Sequence, residues 1–174
     1  AHHMALLLDD AALARRSLRE CGVRAAPDAL VVARGTDVAF DVLARCQQRS
    51  VSAVPVVDAA SGALTGNFSC SELRQLGSEL AIADLALPVD AFLARYAAAG
   101  RTEGAVRMPR AALAAGPPFC TTLDASFELV VYKCVALRLH RLWLVDDARK
   151  PIGVVSLTDL MRVLLFGATG ASDD

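Results

Sequence analysis

HRLWLVDDARKPIGVVSLTDLMRVLL, residues 140–165, decides the fold. His140 and Arg141 stand at the mouth of an apolar run, Leu142 to Val145, that ends in Asp146. Arg149-Lys150-Pro151 turns the chain into a second apolar run, Ile152 to Val155, so the pair predicts a β-hairpin. Ser156-Leu157-Thr158-Asp159 then leads into apolar residues at helical spacing, which predicts a helix from about Thr158 to Phe166.

Much of this pattern occurs earlier in the chain. DVAFDVLARCQQRSVSAVPVVD (37–58) parallels DASFELVVYKCVALRLHRLWLVD (124–146): each runs Asp, Phe three positions on, an amphipathic stretch through a Cys, and an apolar strand ending in Val-Asp. The spacing predicts one inserted residue within the second helix. GNFSCSEL (66–73) likewise parallels GVVSLTDL (153–160) as Gly-x-x-Ser-x-[Ser/Thr]-[Glu/Asp]-Leu. Val38 or Ala39, Val42, Leu43 and Cys46 predict one helix face, and Phe127, Val130, Val131, Cys134 and Leu137 another. Val54–Val57 and Leu64–Phe68 predict a hairpin across Ser61-Gly62, with a closing helix near 71–76. Leading strands are expected within 29–34 and 119–123. The fold class is therefore α/β (α+β): a β-α-β-β-α unit used twice, the copies packed with pseudo-twofold symmetry so that each covers a sheet too small to stand alone.

The remaining chain divides around this repeat. Residues 1–4, Ala-His-His-Met, resemble an affinity-tag stub; 5–76 hold an N-terminal region and the first repeat, 119–168 the second, and 169–174 a polar tail. Residues 77–118 form a connector, with a helix starting near Pro88, carrying Phe92, Leu93 and Tyr96 and stopping at Gly100, then a Gly-, Ala- and Pro-containing loop. Eighteen basic against 19 acidic residues leave a net charge of −1, which gives no field to attract nucleic acid or an anionic membrane. No apolar run approaches the roughly 20 residues of a membrane span, and no signal peptide is evident, so a cytoplasmic or organelle-soluble location is expected. Five cysteines without a C-x-x-C argue against a disulfide framework or zinc site, and Cys46 and Cys134 are expected to be reduced core thiols.

The duplicated unit resembles a CBS-domain pair, the Bateman module, over most of residues 20–166. The resemblance is sharpest in QQRSVSAVPVVD (47–58), LHRLWLVD (139–146) and IGVVSLTDLMRVL (152–164), which are similar to the third and fourth CBS repeats of the gamma regulatory subunit of AMP-activated protein kinase and its plant-type relatives. It implies a non-catalytic regulatory module that binds AMP, ADP or ATP between the repeats and associates as a homodimer, with a second CBS pair, or in a kinase complex. It implies that Asp159 accepts from the ribose hydroxyls, with Ser156 and Thr158 near ribose or phosphate. His140 and Arg141 would meet phosphate oxygens, and the backbone at Val51, Ser52, Ala53 and Leu139 would flank the nucleotide. A weaker second site would use Ser69, Ser71 and Glu72; there Glu72 replaces the usual Asp, and Ser52-Ala53 replace the basic pair.

The same residues have a purely local reading. Ser-x-x-Glu at 69–72 and Ser-x-x-Asp at 156–159 each match a helix capping box. The nearby His-Arg pair favours a ligand role for Asp159, whereas Glu72 reads better as a cap. An isolated His-Arg pair would usually be a solvated strand end, and Trp143 reads as core or interface. Ser156 lacks a G-x-S-x-G elbow, and there is no P-loop, H-E-x-x-H or dinucleotide fingerprint, so no catalytic residue is assigned. The alternative function is a degenerate CBS pair serving as a ligand-free dimerisation or docking module.

Overall fold

A computed structural model describes residues 11–70, 82–98 and 119–166. Its elements are α1 (Ala11–Arg15), a 3-10 turn (Pro27–Ala29), β1 (Ala33–Arg34), α2 (Ala39–Gln48), β2 (Ala53–Val57) and β3 (Leu64–Ser69). A second 3-10 turn (Ile82–Ala86) precedes α3 (Val89–Ala98), β4 (Cys120–Thr121), α4 (Phe127–Ala136), β5 (Arg141–Val145), β6 (Pro151–Ser156) and α5 (Leu157–Phe166). The repeat is present as expected: β1-α2-β2-β3 and β4-α4-β5-β6-α5. The closing helix expected near 71–76 lies outside the described residues, as do Gly100 and the loop that follows it.

Each copy builds a three-stranded sheet, ordered β1-β2-β3 and β4-β5-β6. The leading strand runs parallel to the middle one, Ala33 facing Val56 in the first copy and Cys120 facing Trp143 in the second. In the first sheet β2 and β3 pair antiparallel with Val54 opposite Phe68, and the register shifts between Val56 and Val57. Every residue of β2 is buried, as a middle strand covered on both faces requires. Among the described residues no helix is long and apolar enough to cross a membrane.

The two copies keep one constant offset through helix and middle strand: Ala39 answers Phe127, Gln48 answers Ala136, Ala53 answers Arg141 and Val57 answers Val145. Both helices are 10 residues long, so the extra residue is not inside the second helix as the sequence spacing suggested. It lies in the turn between leading strand and helix, 35–38 in one copy and 122–126 in the other. The Phe match in the sequence is therefore not a structural match. Phe127 is fully buried, while Phe40 is 58% exposed and Ala39 takes the core position. One extra residue inside a helix would rotate all that follows by about 100° and turn the apolar face outward; in a turn it displaces nothing.

The described residues fall into two compact units, and each borrows a segment the repeat alone did not announce. In the unit of the second copy, α1 and the turn after it pack on α4. Phe127 N donates to Arg16 O (2.7 Å), Leu18 N donates to Ala125 O (3.0 Å), and Leu18 and Cys21 join Phe127, Val130, Leu142, Leu144 and Val155 in one core. In the unit of the first copy the connector does this work. Ala39 N donates to Leu87 O (3.0 Å), Val89 N donates to Asp37 O (2.9 Å), and Val89 and Phe92 complete the core of Val42, Cys46, Val54, Val56 and Phe68. The bridges Ser17 to Ser126 and Val38 to Pro88 hold equivalent places, so the duplication extends to these flanking segments.

Candidate functional site

The loop from helix to middle strand is built the same way in both copies. Ser50 (φ 53°) and Arg138 (φ 52°) are left-handed residues just past the helix ends. Val51 N reaches back to Cys46 O (3.0 Å) and Ser50 N to Gln47 O (3.1 Å); Leu139 N and Arg138 N make the matching bonds to Cys134 O (2.9 Å) and Val135 O (3.3 Å). This is a Schellman closure, which satisfies the last helical carbonyls and swings the chain into the sheet. In the second copy it delivers His140 and Arg141 to the mouth of β5.

There Leu139, His140, Arg141, Ser156, Thr158 and Asp159 fall within one unit, while Val51, Ser52 and Ala53 belong to the other. Leu157 N donates to His140 O (3.0 Å), so the start of β5 lies against the end of β6 and the first turn of α5. His140 and Thr158 are exposed, and Arg141, Ser156 and Asp159 are partly buried. Asp159 closes the capping box: its Oδ2 accepts from Ser156 N (2.9 Å) and Ser156 Oγ (2.6 Å), and its own N donates to Ser156 Oγ (3.3 Å). The local reading of this motif is thus realised, and one carboxylate oxygen is committed to it. A ligand role for Asp159 must operate with that cap in place.

The other unit repeats the arrangement without the basic pair. Cys70 N donates to Ser52 O (2.9 Å), as Leu157 N does to His140 O, and Ala53 pairs with Ser69. Val51, Ser52, Ala53 and Ser69 are thereby collected at one sheet end; Ser71 and Glu72 lie outside the described residues.

A cavity of about 320 Å³ opens between the end of α4 and α5, with Leu139, Leu157, Leu160, Met161 and Leu164 among its walls and Arg138 and His140 on its margin. The sequence reading missed it, although Leu157, Leu160, Met161 and Leu164 follow helical spacing and could have signalled an apolar groove. Trp143 is buried, 3% exposed, in keeping with its core reading. Cys46 and Cys134 are buried free thiols as expected. Burial pushes Cys134 up to about 11, and burial together with the neighbouring Cys70 pushes Cys46 up to about 12.

The two repeats, β1-α2-β2-β3 and β4-α4-β5-β6-α5, share the fold of solved CBS-domain pairs. Residues 114–166 match the family model for the CBS domain. Over 127 residues the chain is 26% identical to the 5'-AMP-activated protein kinase subunit gamma of Dictyostelium discoideum, covering 72% of this chain but only 20% of that relative. Solved structures share the fold. A protein of Methanocaldococcus jannaschii, MJ1225, proposed as an archaeal homologue of gamma-AMPK, has a TM-score of 0.60 at 15% identity over 91% of this chain and 50% of its own. CBSX2 in complex with AMP has a TM-score of 0.54 at 20% identity over 84% of this chain and 96% of its own. The CBS domain pair of protein MJ0100, in complex with 5'-methylthioadenosine and S-adenosyl-L-methionine, has a TM-score of 0.56 at 14% identity over 86% and 95%.

Proposed function

We propose that this chain is a non-catalytic regulatory module that binds an adenine nucleotide (AMP, ADP or ATP) and reports its presence through a change in packing. The observation that carries this reading is the juxtaposition in the second copy: the Leu157–His140 backbone bond sets the His140-Arg141 pair beside Ser156, Thr158 and Asp159. A guanidinium fork with an imidazole suits phosphate oxygens, and the adjacent hydroxyls and carboxylate suit a ribose. Val51, Ser52, Ala53 and Leu139 are proposed to contribute backbone contacts, with Ser69, Ser71 and Glu72 as a weaker second site. The AMP complex of CBSX2 and the methylthioadenosine complex of MJ0100 support an adenosine-containing ligand.

The partner proposed is a second copy or another CBS pair, meeting the face of α4 on which Leu129, Tyr132 and Val135 are exposed at one-turn intervals. A kinase complex is proposed from the likeness to the gamma subunit. Arg141→Ala is expected to weaken AMP or ATP binding by about 10- to 100-fold, the loss of one charge-assisted contact, with the fold intact. Titration calorimetry giving equal affinities for both proteins would overturn the site.

A second reading, a ligand-free docking module, draws support from the closed Ser156–Asp159 cap. Thermal melting with AMP, ADP, ATP and S-adenosylmethionine separates the two. A bound ligand at a hundred times its dissociation constant adds about 2.7 kcal/mol, whereas a docking module melts unchanged with all four.

A further inference from the structure

Among the matched positions at which the two copies differ chemically are Cys70 and Leu157. In the second, Cys134 of α4 and Leu157 line the same cavity. The constant helix offset makes Cys46 the counterpart of Cys134. Cys70 is the counterpart of Leu157, because Cys70 N to Ser52 O (2.9 Å) reproduces Leu157 N to His140 O (3.0 Å). The first copy thus sets two thiols where the second sets a thiol and a leucine. Cys70 packs against the core cluster that contains Cys46, and both are free. Cys70 is near enough to raise the Cys46 thiol, second only to burial.

Accessibility orders the chemistry. Cys46 is 0% exposed and its thiol is held protonated by burial, so it cannot begin a reaction with a solvent oxidant. Cys70 is only partly buried and is where an oxidant arrives first.

We propose that Cys46 and Cys70 are a redox modification site, closing to a reversible intramolecular disulfide with a hydroperoxide as oxidant. The Cys70 thiolate attacks one peroxide oxygen; the S–O bond forms as O–O breaks, the released alkoxide or hydroxide takes up a proton and leaves as alcohol or water, and Cys70 becomes a sulfenic acid. The Cys46 sulfur then displaces that hydroxyl. S–S forms, S–O breaks, and the hydroxyl leaves as water with the proton from Cys46. Two thiols are oxidised by two electrons in all, and one hydroperoxide is reduced to alcohol and water. A small thiol reverses the bond by exchange. The disulfide ties the last turn of α2 to the end of β3 across Val51 and Ser52. Its formation does not depend on nucleotide binding.

The test is a disulfide map of the full chain treated with hydrogen peroxide, alkylated under denaturing conditions and digested without reductant. Expected is a linked peptide pair carrying Cys46 and Cys70, lost on treatment with dithiothreitol and absent from Cys70→Ser. Cys46→Ser should leave Cys70 as a sulfenic acid captured by dimedone. Because Cys46→Ser buries a hydroxyl, the wild-type map alone decides: recovery of Cys46 and Cys70 as separately alkylated peptides, or a link from either to another cysteine, overturns the proposal.

Discussion

Asp159 shows how a residue legible in sequence carries two meanings that only geometry separates. Ser-x-x-Asp is both a cap and a ribose-binding motif, and nothing in the four letters says whether the carboxylate folds back; here it does, onto Ser156. Asp159→Ala should therefore cost about 1 kcal/mol without any ligand present, because Ser156 N–H and Oγ lose their acceptor. Urea denaturation checks this, and an unchanged midpoint would show that the cap contributes nothing. Thr121 is the opposite case, since no pattern in the sequence flagged it. Its Oγ1 is buried and has no hydrogen-bond partner among the described residues. Desolvation of such a hydroxyl goes uncompensated, so Thr121→Val, which keeps the β-branched shape, should stabilise by about 1 kcal/mol in the same assay.

At the scale of elements, strands and helices were readable because their apolar periods are strong, whereas the boundary between leading strand and helix was not. Identity aligned Phe40 with Phe127, but burial aligns Ala39 with Phe127. Letters in a turn are cheap to change and helix phase is not, so the phase is the better guide to equivalence. The helix ends were also hidden. Ser50 and Arg138 take a left-handed conformation that usually selects glycine, and neither residue type announces it. Ser50→Gly should stabilise by about 0.5 to 1 kcal/mol, the relief of the Cβ clash less the added freedom of the unfolded chain. A thermal melt that falls instead would mean the Ser50 side chain makes a contribution larger than this strain.

For the whole molecule, the sequence revealed the duplication but not which flanking segment completes each core, because Leu18, Cys21, Val89 and Phe92 belong to no motif. Those junctions are also where carboxylates bind the backbone, and this ties stability to pH. Glu20 is held below its ordinary value first by the Ser17 backbone N–H and then by the Ser17 hydroxyl. At Asp37 desolvation is the largest effect and raises the value, but the Arg34 N–H and the Arg45 guanidinium together outweigh it, and the net direction is down. Asp58 is lowered by the Ser61 hydroxyl and then the Ser61 N–H in the β2–β3 turn. A carboxylate with a depressed folded value binds fewer protons folded than unfolded. Its contribution is complete above the unfolded value, about 4, and is lost as pH falls through the folded one. Stability should therefore hold at neutral pH and decline below about pH 4, and Asp37→Asn, which removes the Arg45 pairing, should flatten that decline while lowering stability at pH 7. Urea midpoints measured from pH 7 to pH 3 test this, and equal slopes for the two proteins would place the acid sensitivity outside the Asp37 junction.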